Sequence, residues 1–336
     1  MPAWAYPGQR PDSGAAPAWL RWASPLGWAD NLRPLTGSEP AALIPIILII
    51  GVAAGAAIIL AGRRDLGSAI LARHRPAQAS TWLLGGPVRL VIWLERWSAL
   101  SWTAGLAALA LIFGVTARSA AAGNVGVSSI TQQLGRLGAH PVSPAAAWIG
   151  YEFVFLAALL AFAAAAQISA VRSEEADGQL DNLLARHLDR SRWLAGRLGF
   201  SVALVLACGL AAGAGGWLGI AGRTSAVGFA AMMQAGLNAA VPALFVLGLG
   251  TLLYGLAPRL AAPVLYAAIL WSFLVEIIGS SITSNHWLLD TAILTHLGPV
   301  PATGLRWGVI AWLTGFAVIA ALAGLAAFRR RDLATA

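Results

Sequence analysis

No lysine occurs in the 336 residues: all 22 basic side chains are arginines. A Walker A phosphate loop needs a lysine on the phosphates, so this chain holds no conventional ATP-hydrolysing domain. Cysteine is nearly absent too. The single Cys208 excludes an intramolecular disulfide and a multi-cysteine metal site. Charge is scarce: 11% of residues are charged and only 14 are acidic, while 58% are hydrophobic. A soluble domain carries about 25% charge. A soluble enzyme, a disordered chain and a secreted disulfide scaffold are thereby excluded.

What the chain has instead is a series of long apolar runs between charges. A helix needs about 20 mostly apolar residues to cross the hydrocarbon of a bilayer. Seven stretches qualify, at about 42–61, 96–118, 148–171, 197–223, 229–256, 260–280 and 306–329. The predicted fold class is therefore an all-α polytopic membrane protein of about seven transmembrane helices, with cytoplasmic amphipathic helices. Pro45, Pro242 and Pro263 fall inside these runs, where a membrane helix tolerates them. The net charge of +8 would suit nucleic acid in a soluble chain. Here the arginines mark the cytoplasmic ends of spans, so the expected surroundings are a lipid bilayer, with no nucleic-acid partner.

Orientation follows from the same arginines. With the N-terminal segment outside and the C-terminus inside, fifteen of the 22 lie in inner segments, as the positive-inside rule requires. The first apolar run begins near residue 42 without a basic start, so no cleavable signal peptide is expected. Two inner segments are amphipathic. In residues 85–98, Arg89, Trp93 and Arg96 share one side and Val88, Val91 and Ile92 another, the pattern of an interfacial helix before the second span. From Glu174 onward, Leu180, Leu183, Leu184 and Leu188 repeat at helical spacing opposite Asn182, Arg186 and Asp189. Such a helix lies on lipid, docks into a partner's groove or simply connects two spans.

A repeat is visible as well. Arg63-Arg64-Asp65-Leu66 follows the first span and Arg330-Arg331-Asp332-Leu333 follows the last. Each tetrapeptide follows an Ala-, Leu- and Ile-rich span. The first span thus reads as the last helix of one repeat, and spans two to seven as a complete repeat. The expected organisation is an outer segment over 1–41, the orphan helix over 42–62, a cytoplasmic linker with the interfacial helix over 63–98, and a six-helix permease repeat over 99–336.

These residues carry a family resemblance. Residues 172–180, RSEEADGQL, with Leu183-Leu184-Ala185 and Arg190-Ser191-Arg192-Trp193, resemble the cytoplasmic motif of type-2 ABC exporter permeases. Phe328-Arg329-Arg330-Arg331-Asp332-Leu333 resembles that family's ending. Ser24-Pro25-Leu26-Gly27-Trp28, Arg33-Pro34 and Tyr254-Gly255-Leu256-Ala257-Pro258-Arg259 are similar to stretches of the actinobacterial antibiotic and polyketide exporter permeases. That subfamily resembles two fused six-helix repeats, whereas this chain has one repeat and the last helix of the preceding one. Its members usually carry a small residue and Pro before the second basic cluster, where this chain has Arg186-His187-Leu188-Asp189.

The resemblance implies a permease in the plasma membrane, driven by a separate dimer of ABC ATPase subunits that hold ATP and Mg. No cofactor is expected in this chain. It also implies a coupling helix built from Glu174, Glu175, Gly178, Leu180, Leu183 and Leu184, with the acidic pair at its start, where the helix dipole favours acids. A second permease copy, or a separate half-permease, is expected to complete the path.

Candidates for a cargo path are few. Glu152 and Glu276 are the only acids within spans, both toward outer ends; they face a water-filled outer vestibule or meet a cationic cargo group, or else they snorkel outward or pair with a nearby arginine. Gln234 and Asn238, four residues apart, share a face of the fifth span, to line a path or to bond between helices. Gly209 with Gly213, and Gly215 with Gly219, have the spacing of close helix packing. In a lone half, the face of Gly209 and Gly213 is expected to lack a partner. Catalysis finds no support. The five histidines are scattered without metal-binding spacing, and Gly199-Phe200-Ser201-Val202-Ala203 ends in Ala where a nucleophile elbow needs Gly. The expected function is export of hydrophobic antibiotics, polyketides or drugs. A proton-driven secondary multidrug transporter and a non-transporting membrane assembly protein remain as alternatives.

Overall fold

The computed structural model describes residues 43–62, 87–121, 144–176, 190–221, 227–279 and 289–331. Among them it is all-α: α1 (Leu43–Gly62), α2 (Pro87–Ala121), α3 (Pro144–Ala176), α4 (Arg190–Ile220), α5 (Phe229–Leu256), α6 (Pro258–Gly279) and α7 (Trp307–Arg330). A short 3-10 turn, Leu294–His296, precedes α7. Helices α2 to α7 are long and apolar enough to cross a membrane. α1 is a twenty-residue helix without a charge. The helices coincide with the seven apolar runs because an uncharged stretch that must satisfy its own backbone in lipid has only the helix available to it.

Local sequence sets several ends. Pro87, Pro144 and Pro258 each stand first in their helices, where the missing N–H costs nothing and φ is already helical. Pro258 also ends α5, since the residue before a proline is pushed out of the helical region. Ala257 accordingly has φ −147° and ψ 75° and is the single residue between α5 and α6.

Two expectations change. The interfacial segment 85–98 is not a separate helix: α2 runs unbroken from Pro87 through Ser98 to Ala121. Nothing between Trp97 and Leu100 breaks a helix, so the polar first turns continue directly into the span. Likewise no helix opens at Glu174, which with Glu175 forms the last turn of α3.

The chain divides into two compact units, Met1–Ala79 and Ser80–Ala336. In the first, α1 exposes Ile44, Ile47, Leu48 and Ile50. In the second, α3 and α5 are the most enclosed helices and α2 and α7 the least. α4 packs between α2 and α5, and α5 in turn touches α3, α6 and α7. Glycines set these approaches. Gly209 lies against the Gly236 carbonyl of α5, and Gly213 against the Met232 carbonyl. On the other side of α4, Gly215 meets the Ala107 carbonyl of α2, and Gly219 meets Leu111 and Gly114. The two small-residue pairs thus serve two different neighbours inside the same six-helix unit, and the face of Gly209 and Gly213 is filled rather than unpaired. The outer surface is apolar, with Trp97, Leu100, Ile112, Trp271, Trp312, Ile319 and Leu322 exposed, as lipid-facing helices are.

Candidate functional site: a charged junction at one end of the bundle

The N-terminal parts of α2, α4 and α6 and the C-terminal ends of α3, α5 and α7 lie at one end of the unit, where side chains of α2, α3, α4, α5 and α7 meet and α6 contributes a backbone carbonyl. Arg197 of α4, 1% exposed, pairs with Glu174 of α3 at 2.7 Å and with Glu95 of α2 at 3.2 Å. The neighbouring Glu175 turns elsewhere. It pairs with Arg331, which follows α7, and accepts a 2.5 Å hydrogen bond from the Tyr254 hydroxyl of α5. Arg331 also donates to the Tyr254 carbonyl at 2.9 Å. Its guanidinium lies 5.4 Å from the Tyr254 ring centre and 5.5 Å from that of Phe328. Phe328, wholly buried, stacks on Tyr254 and lies beside Trp193. Arg329 reaches the Ser191 hydroxyl at 3.1 Å, and Arg172 donates to the Arg259 carbonyl at 3.3 Å, which brings in α6.

Electrostatics explains why the junction forms. Two carboxylates in the last turn of α3 face the negative end of the helix dipole, and that turn carries no base of its own. The compensating charges arrive from α4 and from the residue after α7. A buried guanidinium is tolerated only when paired and hydrogen-bonded; Arg197 has two carboxylates, one on each neighbouring helix. Glu174 and Glu175 are sequence-predicted site residues and both sit here. Gly178, Leu180, Leu183 and Leu184 lie outside the described residues.

Sequence reasoning does not single out Glu95, Arg197, Tyr254 or Arg331 as site residues. For two of them a signal exists: Tyr254 and Arg331 stand in the stretches that carry the family resemblance. Glu95 and Arg197 look like ordinary charges at span ends.

The cargo-path candidates lie toward the opposite end and are not brought together. Among the described residues, no hydrogen bond or ion pair joins any two of them. Glu152 of α3 is buried, and one of its oxygens accepts from Trp148 Nε1 at 2.5 Å and Thr116 Oγ1 of α2 at 2.9 Å. Its other oxygen is buried without a partner, as is one oxygen of Glu276. Asn238 is buried and donates to the Gly298 carbonyl at 3.0 Å, whereas Gln234 is exposed. Asn238 therefore anchors the segment before α7. Further anchors are the Ile293 N–H donating to Ser272 Oγ, and the approach of Pro299 to Gly150. The described residues contain no group of side chains able to hold a metal ion.

An all-α bundle with an apolar exterior, spans long enough for a bilayer and most of the charges among its described residues gathered at one end is a multi-pass membrane protein. Residues 84–329 match the family described as "Multidrug efflux system permease Rv1217c, C-terminal domain", and the chain belongs to that family. It is also 28% identical over 325 residues to the "Multidrug efflux system permease protein Rv1217c" of Mycobacterium tuberculosis (strain ATCC 25618 / H37Rv). The match takes in 94% of this chain and 57% of that protein, so the chain spans little more than half the length of this relative.

Proposed function

We propose that the chain is the membrane-spanning permease of an ATP-driven exporter of hydrophobic antibiotics, polyketides or other drugs. A dimer of separate ATPase subunits supplies the energy, with ATP and Mg on that partner. The ends of α3 and α7 face the cytoplasm, and the coupling contact runs from Glu174 and Glu175 into Gly178, Leu180, Leu183 and Leu184. A second copy, or a separate half-permease, completes the path. The observation that carries this reading is convergence: three of the stretches with the family resemblance meet at one place, as Glu175, Tyr254 and Arg331. The relative's name, a multidrug efflux system permease, supports the drug-like cargo.

The test uses inside-out vesicles holding the full chain and an ATPase subunit that co-purifies with it, supplied with a fluorescent hydrophobic drug. ATP is expected to drive uptake, and a non-hydrolysable analogue to leave it at background. Uptake driven by a pH gradient without ATP would replace this reading with the secondary transporter. No uptake under either condition would favour the assembly protein.

A further inference from the structure

Glu174 and Glu175 are consecutive, so on a helix they point about 100° apart. Each has its own partners on its own pair of helices. Glu174 holds Arg197, which also holds Glu95, and so reaches α4 and α2. Glu175 holds Arg331 and the Tyr254 hydroxyl, and so reaches the end of α7 and α5. Among these six side chains, no hydrogen bond or ion pair joins one set to the other; the two sets share the backbone of α3, and beside them Arg329 on Ser191 and Phe328 against Trp193 tie α7 to α4. From this arrangement we propose that the last turn of α3 is a two-armed fork. It passes displacement of its own end to α2 and α4 through Glu174, and separately to α5 and α7 through Glu175. Glu95, Arg197, Tyr254 and Arg331 are then positioning residues for energy coupling, a role that rests on the ATP-driven reading above.

The physical case is stiffness. Ion pairs screened from water resist separation far more than exposed ones, and Arg197 is almost wholly enclosed. On the other arm Arg331 is fixed by a carboxylate, a backbone carbonyl and two aromatic faces. Its planar, multiply bonded guanidinium loses little freedom per bond formed. A pull on α3 therefore moves its partners before it stretches the contacts.

The decisive quantity is drug exported per ATP hydrolysed, measured on proteoliposomes of the full chain with its ATPase. Glu175→Gln or Arg331→Gln is expected to lower this ratio roughly five- to tenfold, in the usual range of coupling between sites. Arg331→Lys, which keeps the charge but not the planar, stacked fork, should recover only part of it. Tyr254→Phe keeps the aromatic stack and removes one bond to Glu175. It should lower the ratio less, and it serves if Arg331→Gln fails to insert. The arms predict a pattern of additivity. Glu175→Gln with Arg331→Gln, in one arm, should be no worse than either alone. Glu174→Gln with Arg331→Gln, across arms, should approach the product of the two single losses. An unchanged ratio in Arg331→Gln and Tyr254→Phe, with export intact in the unmodified chain, overturns the fork alone. So does a cross-arm double variant no worse than its singles. Absence of ATP-dependent export in the unmodified chain overturns the ATP-driven reading, and the fork with it.

Discussion

Arg197 is the side chain on which the charged junction depends most. It is enclosed, it sits among three helices, and both of its partners are carboxylates. Removing a member of a buried ion pair leaves the others uncompensated, at a cost of about 3–5 kcal/mol. Arg197→Met is therefore expected to lower the thermal unfolding midpoint in detergent clearly, since Glu95 and Glu174 then face each other without a cation. Glu174→Gln should cost less, because Arg197 keeps Glu95 and an amide oxygen still accepts its hydrogen bond. A midpoint unchanged in Arg197→Met would mean that the two carboxylates find water once the guanidinium is gone.

Between helices, the spacing is set by backbone meeting backbone. A side chain at Gly236 would drive into the Gly209 carbonyl, and one at Gly219 into the Leu111 carbonyl. Neither contact is the far end of a flexible side chain, so the helices themselves must separate. Gly236→Val and Gly219→Val are expected to destabilise by about 1–3 kcal/mol or more, the range for overpacked cores. By contrast, a methyl group at Gly105 of α2 or Gly199 of α4 would meet no neighbouring helix. Gly105→Ala and Gly199→Ala should be neutral within about 0.5 kcal/mol, as for surface substitutions. Intrinsic tryptophan fluorescence during heating reads all four. The same contacts explain why α4 holds two glycine pairs out of register with each other: one faces α5 and the other α2.

Across the whole bundle, orientation has a direct test. Arg330 ends α7 at the junction and Arg306 precedes α7 at the other end, and both are exposed. Cys208 is buried, so an engineered surface cysteine can be labelled selectively. In intact cells Arg306→Cys is expected to react with an impermeant maleimide and Arg330→Cys to react only after permeabilisation. The reverse pattern would invert the topology proposed from the arginine distribution.

The positions of the helices were legible in the residues. A run of about twenty apolar residues has one stable form in lipid, and Pro87, Pro144 and Pro258 punctuate it locally. The close-packing role of the glycine pairs was legible for a similar reason, since spacing on a helix fixes a face. Partners across the bundle were not. Glu175 and Tyr254 are 79 residues apart, and Glu175 and Arg331 are 156 apart; no periodicity links positions so distant. For the same reason the acidic pair read as the start of a new helix. Only the folded chain shows it closing α3, against an unfavourable dipole, with arginines from α4 and from the end of α7 brought in to offset it. Charge pairing between helices depends on which ends the packing places side by side, and that is a property of the tertiary structure.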